Sequence, residues 1–186
     1  MPGATGHFLI NIRGEKMKNF LRKFVKFADK LNIIIGVWAS YLVLVLTFVV
    51  VYEVIRRKIF NSPTSWAFEF STFLYGGMFI LGAGYTYYQD MHVSIDVIEE
   101  RLPEKVRTWL RIITFLIFFL PFVSGIFYAS ITYTLDSWRT HEHSWSAWAP
   151  PIYIYKTVMP VGFFLLLIEG IAKFIKDIFK LKGEEL

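Results

Sequence analysis

Residues 33–55 read IIIGVWASYLVLVLTFVVVYEVI. Apolar side chains fill every face of that run when it is wound at 100° per residue, and its first charged group, Glu53, comes only at its far end. A helix on the surface of a soluble domain is apolar along one stripe; one apolar all round is buried or spans a membrane. The length matches the roughly 20 residues that cross about 30 Å of hydrocarbon. Three further runs, 66–88, 112–133 and 152–175, have similar length and character. Transmembrane barrel strands are shorter and alternate in polarity, so strands are a poor reading. The whole chain is 55% hydrophobic and 19% aromatic over 186 residues, more than a water-soluble domain carries. The sequence therefore predicts an all-α membrane protein with four transmembrane helices.

Two classes of chemistry fall at once. With no cysteine there are no disulfides, thiolate metal sites or cysteine nucleophiles. The four histidines, His7, His92, His141 and His143, all lie outside the apolar runs, so none is placed to hold a haem between facing helices. No other cofactor is expected.

Orientation follows from the basic residues, since short loops rich in Lys and Arg stay cytoplasmic. Fifteen of the 20 fall on one side: in the N-terminal segment, in the connection around Arg101–Arg111 and in the tail from Lys173 onward. Five fall on the other, including Arg56, Arg57 and Lys58. This places both termini in the cytoplasm. The net charge of +5 sits beside apolar runs, where anionic lipid accounts for it and nucleic acid is not needed.

Residues 17–31 separate cleanly by face. Met17, Phe20, Leu21, Phe24, Val25, Phe27, Ala28 and Leu31 fill one arc, and Lys18, Arg22, Lys23, Lys26, Asp29 and Lys30 the other. The pattern predicts an amphipathic helix lying in the cytoplasmic interface and leading into the first span. The run that follows is too long for a signal-peptide core. Residues 1–16 read as a flexible segment, with Met17 an alternative translation start; 32–177 is the membrane domain and 178–186 a cytoplasmic tail. Between spans two and three, over 89–110, Met91, Ile95, Ile98 and Leu102 form an apolar stripe that predicts a second interfacial helix ended by Pro103, or else a solvated connector.

Within the second span, Gly76/Ala83 and Gly77/Gly84 are spaced seven apart and so nearly share a face, which admits a close helix neighbour in this chain or in a partner. Glu53 stands four residues before Arg57, and Glu169 four before Lys173; both are the favourable order for an i, i+4 ion pair. Glu69 has no cation on its own helix. It is either a carboxylate favoured by the helix N-terminus or a cross-loop partner of Arg56 or Arg57. Pro121 and Pro160 are tolerated in membrane helices and take no chemistry. No span carries a chain of acidic and His residues or a broken-helix repeat, so the chain reads as a scaffold or accessory subunit, not a carrier by itself.

From Val51 to Asp96 the order V-Y-E-V-I-R-R-K-I-F-N-S-P-T-S-W-A-F-E, then F-L-Y-G-G-M-F-I-L-G-A-G-Y-T, then D-M-H-V-S-I-D resembles the small, DctQ-like subunit of tripartite ATP-independent periplasmic (TRAP) transporters. Leu102-Pro103 and W-A-P-P-I-Y-I-Y-K-T-V-M-P-V-G-F, with Pro160 and Gly162, continue the likeness, which covers roughly 32–177. It implies a subunit of an inner membrane of bacterial type that pairs with a larger membrane subunit bearing the solute and sodium sites. It also implies a periplasmic binding protein that delivers an organic acid. Carried over by motif, Arg56 or Arg57, Trp66, Glu69, His92 and Asp96 are structural or interface positions. An aromatic often follows the Arg in that family, where this chain has Arg57-Lys58. The W-x-P-P-x-Y-x-x-K stretch is similar to the branch associated with keto acids. From a different class, a self-sufficient homo-oligomeric channel or exporter is the alternative; it purifies alone, whereas a transporter subunit brings a larger protein with it. A membrane enzyme lacks an identifiable nucleophile, metal cluster or acid/base pair in a shared cavity.

Overall fold

The computed structural model describes residues 4–91 and 102–183. In chain order it contains α1 (Ala4–Lys58), α2 (Ala67–Tyr88), α3 (Glu104–Thr114), a π-helical turn (Phe115–Phe119), α4 (Leu120–Arg139), α5 (Ile152–Lys156) and α6 (Val158–Leu181). Among the described residues there is no strand, only an isolated bridge between His143 and Pro151. Three continuous helical stretches are long and apolar enough to cross a membrane: 15–58, 104–139 and 152–181.

A single seam explains α1. Its buried positions are Val25, Ala28, Asn32, Gly36 and Ala39, spaced three or four apart. That spacing keeps one edge of a helix against a neighbour. The seam begins within the amphipathic segment and runs on into the apolar one. No proline interrupts it, and the small residues Ala28, Gly36 and Ala39 let the neighbouring backbones come close. The expected in-plane helix over 17–31 is therefore not a separate element: α1 is continuous, and it also takes in residues 4–16, which the sequence reading leaves as a flexible segment. At 1.5 Å per residue α1 is about 80 Å long, well beyond the hydrocarbon thickness. Its Phe24, Val25 and Ala28 pack on Ala172 and Ile175 of α6, so the far end of the helix is held by protein as well as presented to its surroundings.

α2 lies against both α1 and α6, and α4 packs chiefly on α6. Glycines set the closest approaches. A Cβ on Gly36 would sit 2.2 Å from the Tyr85 Cβ, and one on Gly162 would meet Ile80 of α2 at 2.2 Å. Gly84 of α2 likewise admits Asn32 of α1 and the Leu165 backbone of α6.

The expected third span starts earlier than its apolar run. Pro103 is the N-cap of α3, where its missing N–H costs nothing at a helix start. Helical structure then continues without a gap to Arg139. The π turn at Phe115–Phe119 immediately precedes Pro121, which sits in the first turn of α4. Proline cannot donate to the helical ladder and its ring crowds the preceding turn; a wider turn there absorbs both. Residues 92–101 lie outside the described residues, and with them the greater part of the expected second interfacial helix, together with His92 and Asp96.

Candidate functional site

The polar side chains that the structure joins across elements gather at the two ends of the helix assembly. One end holds the turn between α1 and α2 and the loop between α4 and α5. Glu53, on the last turns of α1, lies 3.0 Å from the Arg57 Nη2. Its other oxygen accepts from the Thr64 hydroxyl at 2.5 Å and the Thr64 N–H at 3.2 Å. The Thr64 hydroxyl in turn accepts from the N–H of Ala67 at 3.4 Å, at the first residue of α2. One carboxylate thus fixes the exit of α1 and the entry of α2. Arg56 donates to Ser62 at 3.0 Å across the same turn, where Asn61 takes a left-handed conformation that asparagine tolerates.

Glu69 does not pair with either arginine. Arg57 is engaged by Glu53 and Arg56 by Ser62, while Glu69 faces the loop after α4 and accepts from the Ser146 hydroxyl at 2.6 Å. Beside that contact an aromatic cluster closes the same gap. The Trp148 ring lies 6.5 Å from Trp66, 6.4 Å from Phe70 and 6.5 Å from Phe73, and Tyr155 stacks on Phe73 at 4.4 Å. Trp66, expected as an interface position, therefore meets the tryptophan of the W-A-P-P stretch inside this chain. Gly76 admits the same group: a Cβ there would meet the Tyr155 hydroxyl at 2.1 Å.

The loop is anchored again by Lys156. Its ammonium is buried, bonded to Glu142 and 3.9 Å from the centre of the Tyr133 ring. Its carbonyl accepts from Thr134 at 3.0 Å, and Trp138 donates to Thr157 at 3.0 Å. The hydrogen bond from Lys156 holds the Glu142 carboxyl below the usual carboxylate range.

The opposite end is organised by three lysines of α6, each engaged by a different element. Lys173 pairs with Asp90 just past the end of α2. Lys176 reaches Asp29 of α1 at 2.7 Å, and Lys180 reaches Glu104 of α3 at 2.8 Å. The expected Glu169–Lys173 pair is thereby corrected, because Asp90 occupies the lysine. Glu169 is fully buried and instead accepts from the Asn32 amide at 2.9 Å. Asn32 also donates to the Ala28 and Leu165 carbonyls, at 3.1 and 3.3 Å. Gly84 of α2 makes room for it, since a Cβ there would sit 2.0 Å from the Asn32 Oδ1. Asn32, Gly84 and Glu169 thus join α1, α2 and α6 at one point.

The small residues of α2 are not equally enclosed: within this chain Gly77 and Gly84 are both buried, whereas Gly76 and Ala83 are half-buried. The reason is helical geometry: Ala83 is turned about 100° from Gly84, and it is Gly84 that meets Asn32 of α1 and Leu165 of α6. Gly76 serves a different neighbour, the Tyr155 hydroxyl, and a Cβ on Gly77 or Gly82 would meet nothing within 4 Å. Pro160 lies in the first turn of α6, and Gly162 packs on α2. Sequence reasoning missed Asn32, Asp29, Asp90, Glu104 and Glu142. Their signal was weak because each partner lies far away along the chain. A polar residue at the start of an apolar run and a row of lysines after its end were the only marks.

The family described as tripartite ATP-independent periplasmic transporters, DctQ component, matches residues 46–180. A curated relative, the sialic acid TRAP transporter permease protein SiaT of Haemophilus influenzae (strain 86-028NP), is 25% identical over 109 residues. That stretch is 56% of this chain and 18% of the relative, so the chain spans under a fifth of that protein's length. The family match takes in the Glu53–Thr64 turn, the Trp66–Trp148 cluster and the α6 lysines from Lys173 to Lys180. The chain belongs to the DctQ family, the membrane component of TRAP transporters.

Proposed function

We propose that this chain is the small scaffold subunit of a TRAP-type secondary transporter. On this reading it binds a larger membrane subunit, which uses a sodium gradient to take up an organic acid brought by a periplasmic binding protein. The carrying observation is the family match across 46–180. The geometry supports a bracing role: the polar groups described above tie helix to helix at the two ends of the assembly, in the manner of a strut. α2 is the fourth span. Its 22 residues measure about 33 Å, and it lies between α1 and α6, both of spanning length. Both termini are cytoplasmic, so the Glu69–Ser146 end faces the periplasm and the lysine end the cytoplasm.

The test is affinity purification of the tagged chain from native membranes in mild detergent, with mass spectrometry of what accompanies it. A larger multi-span protein in fixed ratio, and loss of uptake when this chain is deleted, is the expected result. A chain that purifies only with itself overturns the proposal in favour of a homo-oligomeric channel or exporter.

A further inference from the structure

The contact between α1 and α6 contains two acids whose hydrogen bonds leave them short of donors. Two bridges cross it, one turn of α1 apart: the Asn32 amide donates to Glu169 Oε2 at 2.9 Å, and the Lys176 ammonium donates to Asp29 Oδ1 at 2.7 Å. Asp29 stands three residues before Asn32, and Lys176 seven after Glu169, so the members of each pair share a face of their helix. Between the two bridges the Asp29 carboxyl comes within hydrogen-bonding reach of Glu169. Glu169 has no exposed surface, and the Asp29 side chain is only 20% exposed. The donors around them are committed elsewhere. The Asn32 amide also serves the Ala28 and Leu165 carbonyls, and its oxygen lies against Gly84 of α2. Lys173 pairs with Asp90 and sits over the Tyr87 ring, while Lys176 lies 5.4 Å from the centre of the Tyr88 ring. Arg111 of α3 acts on Asp177, and Phe115 and Phe119 close over Gly170 without bringing a charge. Glu169 Oε1 is left buried, with no donor among the described residues.

We propose that Glu169 and Asp29 share one proton, held between Glu169 Oε1 and the Asp29 carboxyl, and that this proton fastens α1 to α6. A buried ionisable group without a counter-ion is neutralised in preference to standing charged, and two adjoining carboxyl groups do not both ionise without cost. With the proton in place, the two acids and Lys176 carry no net charge. Without it, two carboxylates face each other across the helix contact with one ammonium between them, and the contact is weakened. The junction is thereby made responsive to protons. The inference is independent of which protein this chain accompanies.

The test is infrared spectroscopy of the purified protein in lipid nanodiscs at neutral pH. The wild type is expected to show the carbonyl band of a protonated carboxyl group, shifted when its proton is exchanged for deuterium and missing from both Glu169→Gln and Asp29→Asn. The folded wild type then holds a proton that the unfolded chain, its carboxyl groups ionised above about pH 4.3, does not. Each pH unit above that value costs the wild type up to tenfold in its unfolding equilibrium relative to Glu169→Gln, until the proton is lost. Its melting temperature relative to Glu169→Gln is therefore expected to fall as pH rises. A wild-type spectrum with no such band overturns the proposal, because both carboxyl groups are then ionised. A band that survives Asp29→Asn places the proton on Glu169 alone and overturns the sharing. A melting-temperature difference that stays constant with pH overturns the fastening.

Discussion

At the scale of single residues, the junction of Asn32, Gly84 and Glu169 carries the sharpest consequences. A carboxylate with no exposed surface depends on what donates to it, and Asn32 is its donor from α1. Removing that amide while keeping the carboxylate leaves a buried acceptor without its partner, which costs about 1–3 kcal/mol and more for a charged group. Asn32→Ala is therefore expected to lower the melting temperature of the detergent-solubilised protein. Glu169→Gln keeps an acceptor for Asn32 and removes the charge, so it should match or exceed the wild type; a loss as large as that of Asn32→Ala would show that the charge itself is required. Gly84 tests the same point sterically. Its added Cβ would also lie 3.3 Å from the Leu165 backbone carbon, so the helices must move apart. Gly84→Ala should destabilise by about 1–3 kcal/mol. Gly82→Ala, with open space around its Cβ, should be near neutral in the same melts and serves as the control.

At the scale of elements, the loop between α4 and α5 is a rigid connector because charge and hydrogen bonds fix it at three places. Its contribution depends on pH in a definite direction. The Glu142 carboxyl is held below its ordinary range in the folded protein by the Lys156 ammonium. Folding therefore gains from this group wherever Glu142 is ionised in both states, which is above the unfolded value of about 4.3. The gain disappears as pH falls through the depressed folded value. The melting-temperature advantage of wild type over Glu142→Gln should be constant near neutral pH and shrink below about pH 4.3. An advantage that grows on acidification would reverse the assignment. The apolar runs fixed where helices form, since hydrophobicity on every face survives any tertiary context. Their ends were less legible. The amphipathic stretch at 17–31 looks like an interfacial helix until its buried edge, Val25 and Ala28, is seen to continue through Asn32 and Gly36. Pro103, read from the sequence as the end of an interfacial helix, is the N-cap of α3, a role that only the residues after it reveal.

At the scale of the whole molecule, burial is unevenly shared, and that inequality bears on what the chain is for. In the most apolar stretch of each long helix, 39% of residues are buried for the stretch ending in α6, against 17% for α1 and 17% for the α3–α4 stretch. α6 is the central member, and the other two turn side chains such as Trp38, Phe48, Phe118 and Phe122 outward. Lipid tails satisfy such a surface as well as protein does, so exposure of this kind identifies no partner by itself. The long-range pairs that hold α6 in the centre were not legible in the sequence, because Asp29, Asp90 and Glu104 have no spacing relation to the lysines they meet. The charge asymmetry was legible, and it makes a testable statement about sidedness. The chain has no cysteine, so single cysteines can be introduced without removing any native one. Trp145 is fully exposed in the α4–α5 loop and Lys182 lies at the end of α6. A membrane-impermeant maleimide applied to intact spheroplasts should label Trp145→Cys and spare Lys182→Cys until the membrane is opened. Labelling of Lys182→Cys alone would invert the orientation and place the lysine end of α6 in the periplasm. Labelling of both in sealed cells would mean that these two ends lie on one side, and so that the helical path from Ile152 to Leu181 does not cross the membrane.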